Sequence, residues 1–166
     1  MKKNIIQILL GLILLLPILV GCNNTDDVAS IFTGKKWKLT YITKANNRGW
    51  YSFPDVQENN LMEYINQNKT FTIDFTGTVE EDAIQGLFSG SGAVNTNGSW
   101  RANGKNNQFG MTLTTGTAID SQDRIATKIL EGLRKANSYG GDERNLYLYY
   151  QTNNEDLCLV FAPINN

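Results

Sequence analysis

The chain predicts a mainly β fold, a small antiparallel barrel of about eight strands with one accessory amphipathic helix and a second, shorter helical candidate. Three observations carry that expectation. Several short runs alternate polar and apolar residues, the period of a half-buried strand. Turn-forming pairs such as Asn103-Gly104 separate them. Helical spacing of apolar residues is confined to two stretches.

The elements follow in order. Residues 36–41 place Trp37, Leu39 and Tyr41 on one face. Residues 70–75 repeat the pattern with Phe71, Ile73 and Phe75, and Thr76-Gly77 is a candidate reversal into 78–84. A Gly- and Ser-rich run, 87–94, is a weak strand that glycines allow to bend or bulge. Residues 98–102 meet 108–115 across Asn103-Gly104, a pair suited to a type I′ turn. The last hairpin joins 145–151 to 157–164 through 152–155. Between the two hairpins, 120–137 carries Ile125, Ile129, Leu130 and Leu133 at helical spacing, with Asp120 or Ser121 to cap it and Gly140-Gly141 beyond its end. Residues 56–66, entered through Pro54-Asp55, form the weaker helical candidate.

The first 22 residues have the layout of a bacterial lipoprotein signal. Lys2 and Lys3 precede an apolar run over 5–20 that ends in Leu19-Val20-Gly21-Cys22. A transmembrane helix needs about 20 apolar residues; this run is shorter and contains Gln7 and Pro17. The expected organisation is a signal peptide over 1–21, a lipidated tether over 22–30 and one β domain over 31–166. Cys22 is then the lipidation site, its sulfur carrying diacylglycerol and its amino terminus an acyl chain such as palmitate. One chain binds a membrane only marginally, whereas three hold it there. The expected location is the outer membrane, on its periplasmic face or at the cell surface. Asp26-Asp27 fits a surface-export signal and a solvated tether equally well.

Composition narrows the chemistry. The full chain has 15 basic and 16 acidic side chains; loss of Lys2 and Lys3 with the signal leaves 13 basic ones and a net charge of about −3. Nucleic acid requires a basic footprint and is not an expected partner. Cys158 is the one cysteine besides Cys22, so no disulfide forms within the lipidated chain. Histidine is absent from the whole sequence, which removes the commonest general base and metal ligand. Neither an enzyme nor a cofactor is expected.

The order of parts resembles the lipocalin-like domains of uncharacterised, envelope-anchored lipoproteins from gut-type Gram-negative bacteria. The resemblance rests on Gly34-Lys35-Lys36-Trp37-Lys38-Leu39, a Phe-Thr-Ile strand followed by Thr76-Gly77-Thr78, Gly98-Ser99-Trp100 running through Asn103-Gly104 into Met111-Thr112-Leu113, and a final Leu159-Val160-Phe161. It spans nearly the whole mature chain. Lipocalins carry Gly-x-Trp in the first strand, whereas this chain has Gly34-x-x-Trp37 there and Gly-x-Trp in mid-chain. The resemblance implies a fold and no catalytic residue.

Aromatic side chains supply the candidate ligand sites. Trp37 and Trp100 either line a barrel mouth or plug its floor. Trp50, Tyr51 and Phe53 form a loop cluster that binds ligand or packs over the core. Tyr147 and Tyr149 make an exposed stripe for sugar or protein if Leu146 and Leu148 face the core. Glu80-Glu81-Asp82 is read as a solvated turn rather than a calcium or carboxylate-pair site. Cys158 is read as a small buried residue, and the cations of the long helix as its solvated face.

The leading expectation is a non-enzymatic binding module for a small apolar or glycan ligand, anchored in the membrane by its lipid. The alternative is a structural lipoprotein with a filled barrel that docks on another envelope protein. A hollow interior favours the first and a solid one the second.

Overall fold

The computed structural model describes residues 24–45, 47–66 and 70–164; the expected signal peptide and Cys22 lie outside the described residues. The fold is mainly β, with eight antiparallel strands in one sheet and three helices among the described residues. The helices are Asn24–Phe32 (α1), Glu58–Asn66 (α2) and Arg124–Lys135 (α3). The strands are Lys36–Lys44 (β1), Thr72–Glu80 (β2), Ala83–Ser91 (β3), Val94–Asn103 (β4), Phe109–Ala118 (β5), Ser138–Gly141 (β6), Leu146–Gln151 (β7) and Asp156–Pro163 (β8). They lie in the order β5-β4-β3-β2-β1-β8-β7-β6.

The chain expected to be a tether is α1. Val28 and Phe32, four residues apart on one helix face, are both buried, and Phe32 occupies the centre of the core. Its ring lies 5.2 Å from Phe75, 4.6 Å from Trp100, 5.4 Å from Phe109 and 5.1 Å from Tyr139. The run of polar residues that suggests a linker is thus the start of a helix with one apolar stripe.

Two reversals differ from those the sequence suggests. The β2–β3 ladder runs unbroken from Thr72↔Ser91 to Glu80↔Ala83, so the chain turns at Glu81-Asp82 and not at Thr76-Gly77. Glu81 takes the positive φ of that turn, 53°. Asn103-Gly104 does not form a two-residue type I′ turn either. The Asn103 side-chain oxygen instead accepts from the amides of Lys105 and Asn106, and the positive φ falls on Asn107, at 56°. An Asn side chain competes well for nearby amides, which favours this longer loop.

The long helix holds all of its apolar pattern but is shorter than the 120–137 stretch expected for it. Asp123, rather than Asp120 or Ser121, caps α3 by accepting from the Ala126 amide at 3.0 Å. The Asp120 carboxylate instead accepts from the Gln122 amide at 2.9 Å. Gly140-Gly141 lie beyond the helix end as expected, but within β6, a strand that alternation does not reveal in so short a run.

Closure of the sheet is minimal. Its two edge strands meet at one isolated bridge, Gln108↔Ser138, with the Phe109 amide donating to Asn137 and the Tyr139 amide to Asn107, each at 3.0 Å. Beyond that point β6 is too short to continue the ladder and α3 covers the gap. Ile125, Ile129, Leu130 and Leu133 face inward, and Arg134 Nη2 reaches the Gly116 carbonyl at 3.4 Å. The domain is an eight-stranded sheet curled around a solid core rather than a continuously hydrogen-bonded barrel.

Candidate functional site

A β-bulge creates the site. In the β1–β8 ladder Leu39 pairs with Phe161 but Tyr41 pairs with Val160, so one extra residue on β1 reverses which face Tyr41 occupies. Trp37, Leu39 and Ile42 remain buried in the core. Tyr41, expected beside them, turns to the outer face.

Tyr147 and Tyr149 share that outer face. Leu146, Leu148 and Tyr150 are buried, which sends the alternate residues of β7 outward. The rings of Tyr147 and Tyr149 stack with centroids 6.4 Å apart and planes 24° apart. Cross-strand registry then assembles two rows: Tyr41, Val160 and Tyr147, and beside them Thr43, Cys158 and Tyr149. A Cβ on Gly140 would sit 3.3 Å from the Tyr149 ring, so the small residue on β6 gives that ring room to lie flat on the sheet. After β1 the loop doubles back, with the Asn47 amide on the Lys44 carbonyl at 3.0 Å and Gly49 at φ 87°. This brings Asn47 and Arg48 over the tyrosines and encloses a hollow of about 230 Å³.

Its chemistry is that of a binding surface. Three phenols offer apolar faces with hydroxyl rims. Burial raises the Tyr149 hydroxyl above its ordinary pKa, and the neighbouring Cys158 and Tyr147 add to that, so it stays protonated at neutral pH. The Cys158 thiol beneath is 2% exposed and burial pushes it up to about 12, which keeps it neutral and unreactive.

The other candidates are elsewhere. Trp37 and Trp100 lie inside the sheet, 0% and 3% exposed. The Trp37 indole donates to the Phe32 carbonyl at 3.4 Å and that of Trp100 to the Thr76 carbonyl at 3.0 Å. Both are core plugs, not a mouth. Trp50, Tyr51 and Phe53 pack the β1–α2 loop down. The Tyr51 amide donates to the Ile42 carbonyl at 2.7 Å, Trp50 meets Tyr64 edge-on at 5.6 Å, and Tyr51 meets Phe53 at 4.8 Å. Lys128 fastens the same loop, 5.2 Å over the Phe53 ring and 2.8 Å from Asp55, whose carboxyl it holds below the usual carboxylate range. The acidic trio is dispersed. Glu80 accepts from Gln85 Nε2 at 2.6 Å, and Asp82 pairs with Lys105 at 2.7 Å.

Sequence reasoning missed Tyr41, Asn47 and Arg48. No residue signals the bulge beforehand, and an arginine among asparagines and glycine reads as an ordinary loop.

Fold and surface together define a solid, eight-stranded β domain that presents an aromatic patch on the outside of its sheet. The chain belongs to DUF4847, a family described as a domain of unknown function, whose model matches residues 23–163. A crystal structure of a DUF4847 family protein from Bacteroides vulgatus superposes with a TM-score of 0.58 at 22% identity, covering 81% of this chain and 96% of that one. An NMR structure of a protein from Burkholderia xenovorans gives a TM-score of 0.45 at 14% identity, over 89% and 94% of the two chains. No curated protein matches the sequence.

Proposed function

We propose that this chain is a lipid-anchored envelope protein of lipocalin-like type that binds a glycan, without catalysis, on the outer face of its sheet. The observation that carries the reading is the stacked pair Tyr147 and Tyr149, turned outward by the burial of Leu146 and Leu148. Stacked phenols match the apolar face of a sugar ring, while Asn47 and the tyrosine hydroxyls supply hydrogen bonds at its edge. Sites enclosing a drug-sized ligand occupy about 300–1,000 Å³; the hollow here, about 230 Å³, suits one ring of a longer, solvent-exposed chain. The solid interior weighs against an apolar ligand held in the barrel. Anchoring rests on the residues around Cys22 and non-catalytic binding on the absence of histidine.

Calorimetry with a panel of oligosaccharides tests the binding. At least one should bind, and Tyr147→Ala with Tyr149→Ala should weaken it at least about tenfold, as the loss of aromatic contact area requires. Absence of binding across the panel, or full affinity in the double variant, would overturn the reading. Labelling cells with palmitate tests the anchor separately, because Cys22→Ser should abolish incorporation.

The solid core also favours a second reading, a structural lipoprotein that docks on an envelope partner. Met62 and Ile65, one turn apart on α2 and nearly half exposed, are its candidate contact.

A further inference from the structure

The hollow beside the tyrosines is electrically one-sided. Arg48 lines it, and no carboxylate does so among the described residues. Lys38 lies next along the outer face of β1, exposed, and adds positive charge to the same side. The outer faces of β1, β6, β7 and β8 hold one carboxylate, Asp156, in the row next to Tyr149 and Cys158, and it accepts from Gln151 Nε2 at 2.9 Å. The whole chain carries a slight excess of acid, so this cationic patch runs against its overall charge.

Building on the glycan reading, we infer that the ligand is an acidic sugar whose ring carboxylate is taken by Arg48 while its apolar face stacks on Tyr147 and Tyr149. A guanidinium is planar, permanently charged and forked, and matches a carboxylate bidentately. An ammonium matches it only as a point charge. The shared geometry explains why an arginine stands over an aromatic floor: the ring fixes the sugar's plane, and the fork reads the substituent at its edge. The neutral thiol of Cys158 and the protonated Tyr149 hydroxyl contribute no opposing charge beneath it.

The test compares oligogalacturonate with a neutral galactose oligomer of matched length, by calorimetry on the purified protein. The acidic oligomer should bind about tenfold more tightly, as expected for a charge-assisted pair. Added salt should weaken the acidic oligomer alone. Arg48→Gln should weaken the acidic oligomer far more than the neutral one and so remove the preference, and Arg48→Lys should restore part of it. Equal affinity for the two oligomers, or a preference that survives in Arg48→Gln, overturns the acidic-sugar inference and leaves the glycan site standing. Failure of both oligomers to bind, together with silence across the wider panel, overturns both.

Discussion

The rings of Phe32 and Trp100 lie 4.6 Å apart and tilted by 31°, filling the space between the two halves of the curled sheet. Phe32 comes from the first helix and Trp100 from β4, next to one edge of the sheet, so the N-terminal segment is part of the core that the sheet encloses. Aromatic pairs at this separation contribute beyond the area they bury.

Phe32→Ala should therefore cost about 3–5 kcal/mol, the range for deleting a fully buried aromatic ring. Urea unfolding measures it. The same variant should admit a small apolar dye that the parent excludes, because the vacated volume is lined by Phe75, Phe109 and Tyr139.

Gly86 marks a second sensitive point. A Cβ there would overlap the Thr76 carbonyl oxygen on β2, which accepts the Trp100 indole hydrogen bond from β4 across Gly86 on β3. Gly86→Ala should cost about 3 kcal/mol, at the upper end for overpacking, since backbone rather than a flexible side chain must yield. A change in tryptophan emission should accompany it as the indole loses its acceptor.

The cap of α3 is a milder test. Asp123→Ala removes the acceptor for the Ala126 amide and should cost about 1 kcal/mol, while Asp120→Ala should leave the helix unaffected. Thermal unfolding of the two variants separates the cap from its sequence neighbour.

Stability should fall in alkali. Burial pushes Tyr64 and Cys158 each up to about 12 and raises Tyr150 as well. In the unfolded chain these groups lose their protons from about pH 8.5 for cysteine and about pH 10 for tyrosine. Between those values and about 12 the unfolded state binds fewer protons than the folded one, so unfolding becomes easier as pH rises; below about 8 this contribution is flat. Among the described residues the Tyr64 hydroxyl has no aligned hydrogen-bond partner, although the Phe71 amide lies near enough to favour its ionised form slightly. Tyr64→Phe should therefore raise stability by about 1 kcal/mol at neutral pH and flatten the alkaline slope, as read by denaturant titration across pH.

Much of this fold is legible in the amino-acid order because alternation survives wherever a strand is half-buried. Leu146 and Leu148 against Tyr147 and Tyr149 is the clearest instance, and it yields two of the three phenols in the patch. Tyr41 escapes because a bulge breaks the parity that would place it, and only the β1–β8 registry reveals the slip. Arg48 escapes because the strands it stands over come about a hundred positions later in the chain. The first helix is hidden for a different reason: two aspartates draw attention to solvent, while the residues that bury it, Val28 and Phe32, lie just beyond. Asp120 and Asp123 are equivalent as letters, and only backbone geometry decides between them.

The strand order carries a kinetic consequence. Every extended ladder joins sequence neighbours except β1–β8 and the β1–β2 pairing across α2, and the latter has three pairs against seven for β1–β8. Hairpins on either side can assemble quickly by themselves, but the middle strand finds its longest partner only when the far end of the polypeptide returns to it. Closing so large a loop is slow. Renaturation should accordingly wait on one late, long-distance zippering event, and trimming the final strand would leave the β1–β5 meander and the β6–β7 hairpin held together only by the single edge bridge and α3.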